Sequence, residues 1–199
     1  MRLVPWWTLV SSGCAPVVLV GAWVIAALLQ GPSYEPVTQT ISILGADGAS
    51  GRWVLNGALI ALGICHLLTA WGLRAASLAG RVALGAGGVV AIVVAQTPAP
   101  SRGGSLGHGF AVAIGFILLA VWPVLAVNRS KSAPWALRPS VSITVTALMA
   151  VGAVCFLIEL QGNGAAGVAE RALTTMQSLW PFVVVVSCLR HPRPSSTSG

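Results

Sequence analysis

Six long apolar runs, separated by short polar connections, dominate this chain. They fall at about residues 9–29, 53–73, 82–96, 108–127, 141–160 and 172–189. A helix needs about 20 apolar residues to cross a bilayer, so each run predicts one membrane-spanning helix. The third run is short, and its helix can begin earlier, near Ala76. The first run is longer than the apolar part of a cleaved leader and no small-residue cleavage site follows it, so it is expected to be a true span. The resulting fold class is all-α: a polytopic transmembrane bundle of six spans over residues 1–191. The Pro/Ser-rich segment 192–199 is expected to be a disordered cytoplasmic tail.

Between the spans the polar residues divide unevenly. Six spans put both ends on one side. With the N-terminus inside, Arg2, Arg74, Arg81, Arg129, Lys131, Arg138, Arg190 and Arg193 fall on the inner side. Only Arg52, Arg102 and Arg171 fall outside. Basic residues accumulate on the cytoplasmic side of membrane proteins, which predicts N-in/C-in topology. All four carboxylates, Glu35, Asp47, Glu159 and Glu170, then gather at the outer rim. Polar chemistry is therefore expected there.

Composition narrows the function classes. Charged residues are only 8% of the chain and the hydrophobic share is 56%, against about 25% charged in a soluble domain. A soluble enzyme is excluded. The net charge of +7 is spread singly between apolar runs, so it marks topology and predicts no nucleic-acid partner. Cys14, Cys65, Cys155 and Cys188 all lie in apolar runs without a CxxC pair, which predicts small packing residues with no disulfide framework and no metal site. Trp6, Trp7, Trp71 and Trp135 fit an inner interfacial belt and Trp53 an outer one.

The outer segments carry the candidate chemistry. In the first, TQTISILG spaces Thr38, Ser42 and Gly45 along one face of a short helix, with Ile41 and Leu44 turned to lipid or core. Asp47 or Ser50 is positioned to cap the second span. In the second, Arg102 and His108 flank Gly103 and Gly104. Cation, glycine backbone and helix N-terminus together favour an anionic head group; a plain Gly-rich connector is the simpler alternative. In the third, Glu170 and Arg171 open the last helix, where a carboxylate suits the helix dipole. Glu159 is embedded in CFLIELQG beside hydrocarbon. It calls for a partner among Arg102, Arg52, Arg171 and His108, or for neutralisation by a proton.

His66 lies about 13 residues below the outer end of its span, or about 20 Å. His108 is at the rim. One haem cannot be held by both, so a bis-His cytochrome is disfavoured and no cofactor is expected. His66 reads as a core histidine hydrogen-bonded near Asn56 or Thr69. In the packing of the third span, Gly85 and Gly88 nearly share a face and Gly87 adds room. Pro16, Pro123 and Pro181 each remove a backbone donor within a span.

The order of motifs also carries a resemblance. Tyr34-Glu35-Pro36-Val37-Thr38 runs on to Ile41-Ser42-Ile43-Leu44-Gly45. A Pro-bearing loop ending in His108 follows, then Gly167 to Glu170-Arg171 before a Trp-Pro helix. From about residue 10 to 190 this resembles the domain-of-unknown-function 998 family of bacterial six-helix membrane proteins. Where that family commonly has Ser-Glu-Leu-Gly, this chain has Ser42-Ile43-Leu44-Gly45, so no acid role carries over to position 43. The resemblance implies fold, topology and a bacterial plasma membrane, and no reaction.

These readings lead to an outward-facing polar site that binds or modifies a membrane lipid or isoprenoid. Glu159 or Asp47 would act as general acid or charge partner. His108 and Arg102 would contact the polar head, and Tyr34, Ser42, Glu170 and Arg171 would complete the substrate contacts. In an acid-initiated cyclisation, Trp23 and Trp180 would face the developing cation. Two alternatives stand beside it. One is a small transporter or accessory subunit in a homo-oligomer or larger membrane complex. The other is a non-catalytic structural membrane protein.

Overall fold

The computed structural model describes residues 4–97, 99, 105–162 and 164–191. Six helices are long and apolar enough to cross a membrane: α1 (Trp6–Gln30), α3 (Arg52–Gly72), α4 (Leu78–Gln96), α5 (Leu106–Leu125), α6 (Pro139–Gln161) and α7 (Ala166–Leu189). A short helix, α2 (Ile41–Leu44), lies between α1 and α3, and a 3-10 turn (Trp135–Leu137) leads into α6. No strand occurs among the described residues. The protein is thus an all-α, multi-pass membrane protein. The third span does begin early, at Leu78, because Ser77 caps it by accepting the Gly80 amide.

The helices form a closed ring. Each packs on its successor, α1 on α3, α3 on α4, α4 on α5, α5 on α6 and α6 on α7, and α7 closes against α1. Both chain ends meet at one end of this ring, where Val4 and Cys188 share an apolar cluster with Leu84, Trp122, Leu137 and Val184. That cluster plugs the terminal end; Trp122 is 0% exposed. At the opposite end α2 forms a roof. Its Ile41 and Leu44 are buried with Ala26, Tyr34 and Leu55, so the core is the destination of the two residues that the sequence turns to lipid or core.

Close approach of α3 and α4 depends on two glycines. A methyl group on Gly88 would lie 2.7 Å from the Gly63 carbonyl oxygen and 3.1 Å from the His66 Cβ. Gly88 therefore does the packing expected of it, and Gly87 makes room for Leu119. Gly85 meets only ordinary contacts with Ala70 and Leu67. Outside the ring, large apolar side chains face outward, among them Val17, Leu28, Ile117, Val151 and Ile158. This is stable only in lipid, where such surface costs nothing. Trp6, Trp53, Trp71 and Trp135 are all exposed near helix ends, as an interfacial girdle requires.

Pro123 removes a donor within α5, and the neighbouring helix compensates. The Val124 amide donates to Thr146 Oγ1 of α6 at 3.2 Å, a repair available to broken helices in lipid. The expected cap of α3 is different. Gly51 occupies the cap position with no side-chain bond. Asp47 pairs instead with Arg52 at 2.7 Å, and the Ser50 amide donates to Gln30 Oε1 at 2.8 Å. All four cysteines are free.

Candidate functional site

Between the terminal plug and the α2 roof the helices line a partly open cavity of about 110 Å³. One water needs about 10–15 Å³ on this measure, so the space is well above that of a packing defect. Leu19, Leu55, Leu59, Val90, Val112 and Phe116 form much of its wall. Helices α1, α2, α3, α4, α5 and α7 all contribute, while no described residue of α6 does. Against this apolar wall a few polar side chains converge: Ser42, Asn56, His108 and Glu170 towards the roof, and His66, Gln177 and Ser178 deeper. A concave apolar space with a few converging polar groups is the usual form of a small-molecule site.

The roof is held by the first turns of α7. Glu170, 4% exposed, accepts a hydrogen bond from the Ile41 amide, the first residue of α2. The Val168 amide donates to the Val37 carbonyl at 3.2 Å. Gly167 has no side chain because the Gln39 and Pro36 carbonyls occupy that space. Arg171 extends the clamp. Its Nη1 donates to the carbonyls of Pro36 at 2.8 Å, Gln39 at 3.2 Å and Gly167 at 2.7 Å. Its Nη2 donates to the Tyr34 hydroxyl, which in turn donates to the Gln39 and Thr40 carbonyls. The guanidinium lies 4.7 Å from the Trp23 ring centroid and 5.7 Å from that of Tyr34, both within cation–π range. Burial raises the Tyr34 phenol above its ordinary value, and the Arg171 hydrogen bond partly opposes this.

His108 shows a defined polarity. Its Nδ1 lies 2.7 Å from the Thr97 carbonyl. A carbonyl only accepts, so Nδ1 carries a proton and donates to it. Nε2 is buried and has no partner among the described residues. Ser105 is the N-cap of α5, accepting the His108 amide at 3.3 Å.

The residues that the sequence singles out fall into three groups. Ser42, His108 and Glu170 line the central cavity. Trp23, Tyr34 and Arg171 line a separate groove of about 410 Å³ beside Leu28 and Pro36. Glu159, Asp47 and Trp180 line neither. Glu159 accepts the Ala165 amide at 2.6 Å and so closes the α6–α7 turn. Among the described residues its side-chain partner is a backbone donor rather than a cation. Trp180 stacks edge-on against Trp135, centroids 6.3 Å apart, beside the terminal plug, remote in the fold from the Trp23 cluster. Arg102, with Gly103 and Gly104, lies outside the described residues.

His66 departs from the expectation of a bonded core histidine. It is 0% exposed, yet neither ring nitrogen has a partner among the described residues. The hydroxyl of Thr69 is engaged with Ser11 at 2.9 Å, and the Asn56 amide donates to the Gly45 carbonyl at 3.4 Å. Gln177 escapes notice in the sequence altogether. The signal for it exists: Glu170, Thr174, Gln177 and Ser178 recur at helical spacing, one polar stripe in an otherwise apolar span.

The model of the family described as "Protein of unknown function (DUF998)" matches residues 14–187. The chain belongs to this family. The match includes α2, the α7 clamp and every described polar residue of the cavity. No curated protein and no solved structure matches the chain.

Proposed function

We propose that this DUF998 protein binds an amphipathic molecule of the lipid or isoprenoid class inside its helix ring. The observation that carries the proposal is the cavity itself: an apolar recess with Glu170, His108, Asn56 and Ser42 gathered at its roofed end. The hydrophobic part of the ligand lies among Leu55, Leu59, Val90 and Phe116. Its polar end sits beneath α2. The roof faces the non-cytoplasmic side of a bacterial plasma membrane, a sidedness supported by Arg74, Arg81, Arg129, Lys131, Arg138 and Arg190 at the other end.

The roofed end also holds groups suited to acid–base chemistry. Glu170 supplies a carboxyl group and His108 an imidazole on the same cavity. In an enzymatic version of the proposal the acid role falls to Glu170 rather than to Glu159 or Asp47, because of the three only Glu170 lines the cavity. A proton donor works on a substrate only within hydrogen-bond reach.

The test is purification in a mild detergent followed by mass spectrometry of extracted small molecules. The wild type is expected to carry an amphiphile that Ala91→Phe, which fills the cavity wall, does not. Equal extracts from both proteins, differing from bulk membrane lipid in neither, would sink the proposal.

A further inference from the structure

Deep in the cavity, two helices present unused hydrogen-bonding atoms. Among the described residues, His66 of α3 has two unpartnered ring nitrogens at 0% exposure, and Gln177 of α7 has an unpartnered Oε1 at 1% exposure. The orientation of the Gln177 amide is fixed, because its Nε2 donates to the Phe116 carbonyl at 3.0 Å. The free oxygen is therefore an obligate acceptor. A neutral imidazole offers one donor and one acceptor. Buried polar groups in proteins are almost always paired, and leaving one unpaired costs about 1–3 kcal/mol. Both residues line one cavity, and three such atoms on them call for an occupant that pairs them.

We infer that His66 and Gln177 form a second, deep polar subsite, which receives a hydroxyl or carbonyl oxygen carried partway along an otherwise apolar ligand. The inference rests on the cavity being the amphiphile site proposed above and narrows its ligand class. Glu170 and Gln177 are separated by seven residues of one helix, or about 10 Å at 1.5 Å per residue. The ligand thus carries two polar functions about that far apart, joined by an apolar segment that lies against Leu59, Val90 and Phe116. A hydroxyl at the deep position donates to Gln177 Oε1 and accepts from the protonated nitrogen of His66. A pure hydrocarbon tail satisfies neither.

Two isomeric probes separate spacing from polarity. The α,ω-octanediol has a hydroxyl at each end; the vicinal octanediol has both at one end. Calorimetric titration of the detergent-solubilised full chain, at equal mole fraction of diol in the micelle, reads the two affinities. The α,ω isomer is expected to bind about tenfold tighter, the worth of about one hydrogen bond to a buried group. That preference is expected to fall below about twofold in His66→Phe and in Gln177→Leu. Equal binding of the two isomers to the wild type overturns the deep subsite while leaving the amphiphile site standing. Absence of binding by both overturns the two together. The comparison on the wild type does not depend on whether either variant folds. Where a variant folds and keeps the preference, the subsite is assigned to the wrong residues and the inference fails.

Discussion

Arg171 donates to the carbonyl oxygen of Pro36 at 2.8 Å, across 135 residues of sequence. This bond and its neighbours make the start of α7 the clamp that holds the roof of the cavity. A planar guanidinium can serve several carbonyls and stack on an aromatic ring at once, whereas an ammonium cannot. Arg171→Ala is expected to destabilise the folded protein by about 3 kcal/mol, the scale of charged hydrogen bonds lost together. Arg171→Lys should recover only part of this. Thermal unfolding in detergent measures the loss, and limited proteolysis should show new cleavage between α1 and α2. Unchanged melting and unchanged cleavage would remove the clamp from the account.

Tyr34 is the only tyrosine in the chain, so its ionisation can be followed by phenolate absorbance. Burial is the largest influence on it and raises its pKa from the ordinary 10.0; Arg171 works in the opposite direction. The folded value thus lies above the unfolded one. The proton's contribution to stability is complete below pH 10 and is lost as pH rises through the folded value. The folded protein should titrate above 10 and the denatured chain near 10. Arg171→Ala should move the folded value higher still. A folded phenol that ionises at the same pH as the denatured chain would mean that the clamp is open to water.

The α3–α4 contact predicts a sharp contrast between glycines. Gly88→Val has no room against the Gly63 carbonyl. It is expected to cost about 3 kcal/mol or more through overpacking and helix displacement. Gly57→Ala, in α3 with nothing within 4 Å, should be neutral or stabilise by up to about 1 kcal/mol through helix propensity. Denaturation in detergent of the two variants decides. Equal effects would contradict the close helix approach.

Glu159 and Glu170 are expected to separate by function. Glu159→Gln keeps an oxygen acceptor for the Ala165 amide, so stability should change by less than about 1 kcal/mol and the bound small molecule should be retained. Glu170→Leu removes a carboxyl group from the cavity and should change the extracted molecule or abolish it. Mass spectrometry of both variants reads this directly. Loss of ligand in Glu159→Gln with retention in Glu170→Leu would reverse the assignment.

Much of the fold is legible in the sequence because lipid leaves few choices. Apolar runs of spanning length must be helices, and each helix end falls within six residues of the expected one. The Ile41/Leu44 pair likewise reveals α2. The site is legible only in part. Ser42, Glu170 and His108 stand out as polar residues near predicted span ends. His66 does not, since its significance lies in who fails to meet it: Thr69 is engaged with Ser11 and Asn56 with Gly45. Glu159 and Glu170 look alike in sequence, each acidic beside hydrocarbon. What separates them is the face of the helix on which each stands once the ring closes, and ring closure between α1 and α7 is a long-range event that no local pattern encodes. Trp23 and Trp180 show the same limit, because their depths are readable while their partners are not.

The most direct test of the central claim is a high-resolution electron cryomicroscopy map of the protein in lipid nanodiscs, viewed inside the ring. The account predicts elongated density running from Glu170 beneath α2 down to His66 and Gln177, with non-protein atoms within hydrogen-bonding distance of the ring nitrogens. A ring collapsed on Phe116 and Leu119, with the His66 nitrogens bonded to protein groups and no density between the helices, would contradict it.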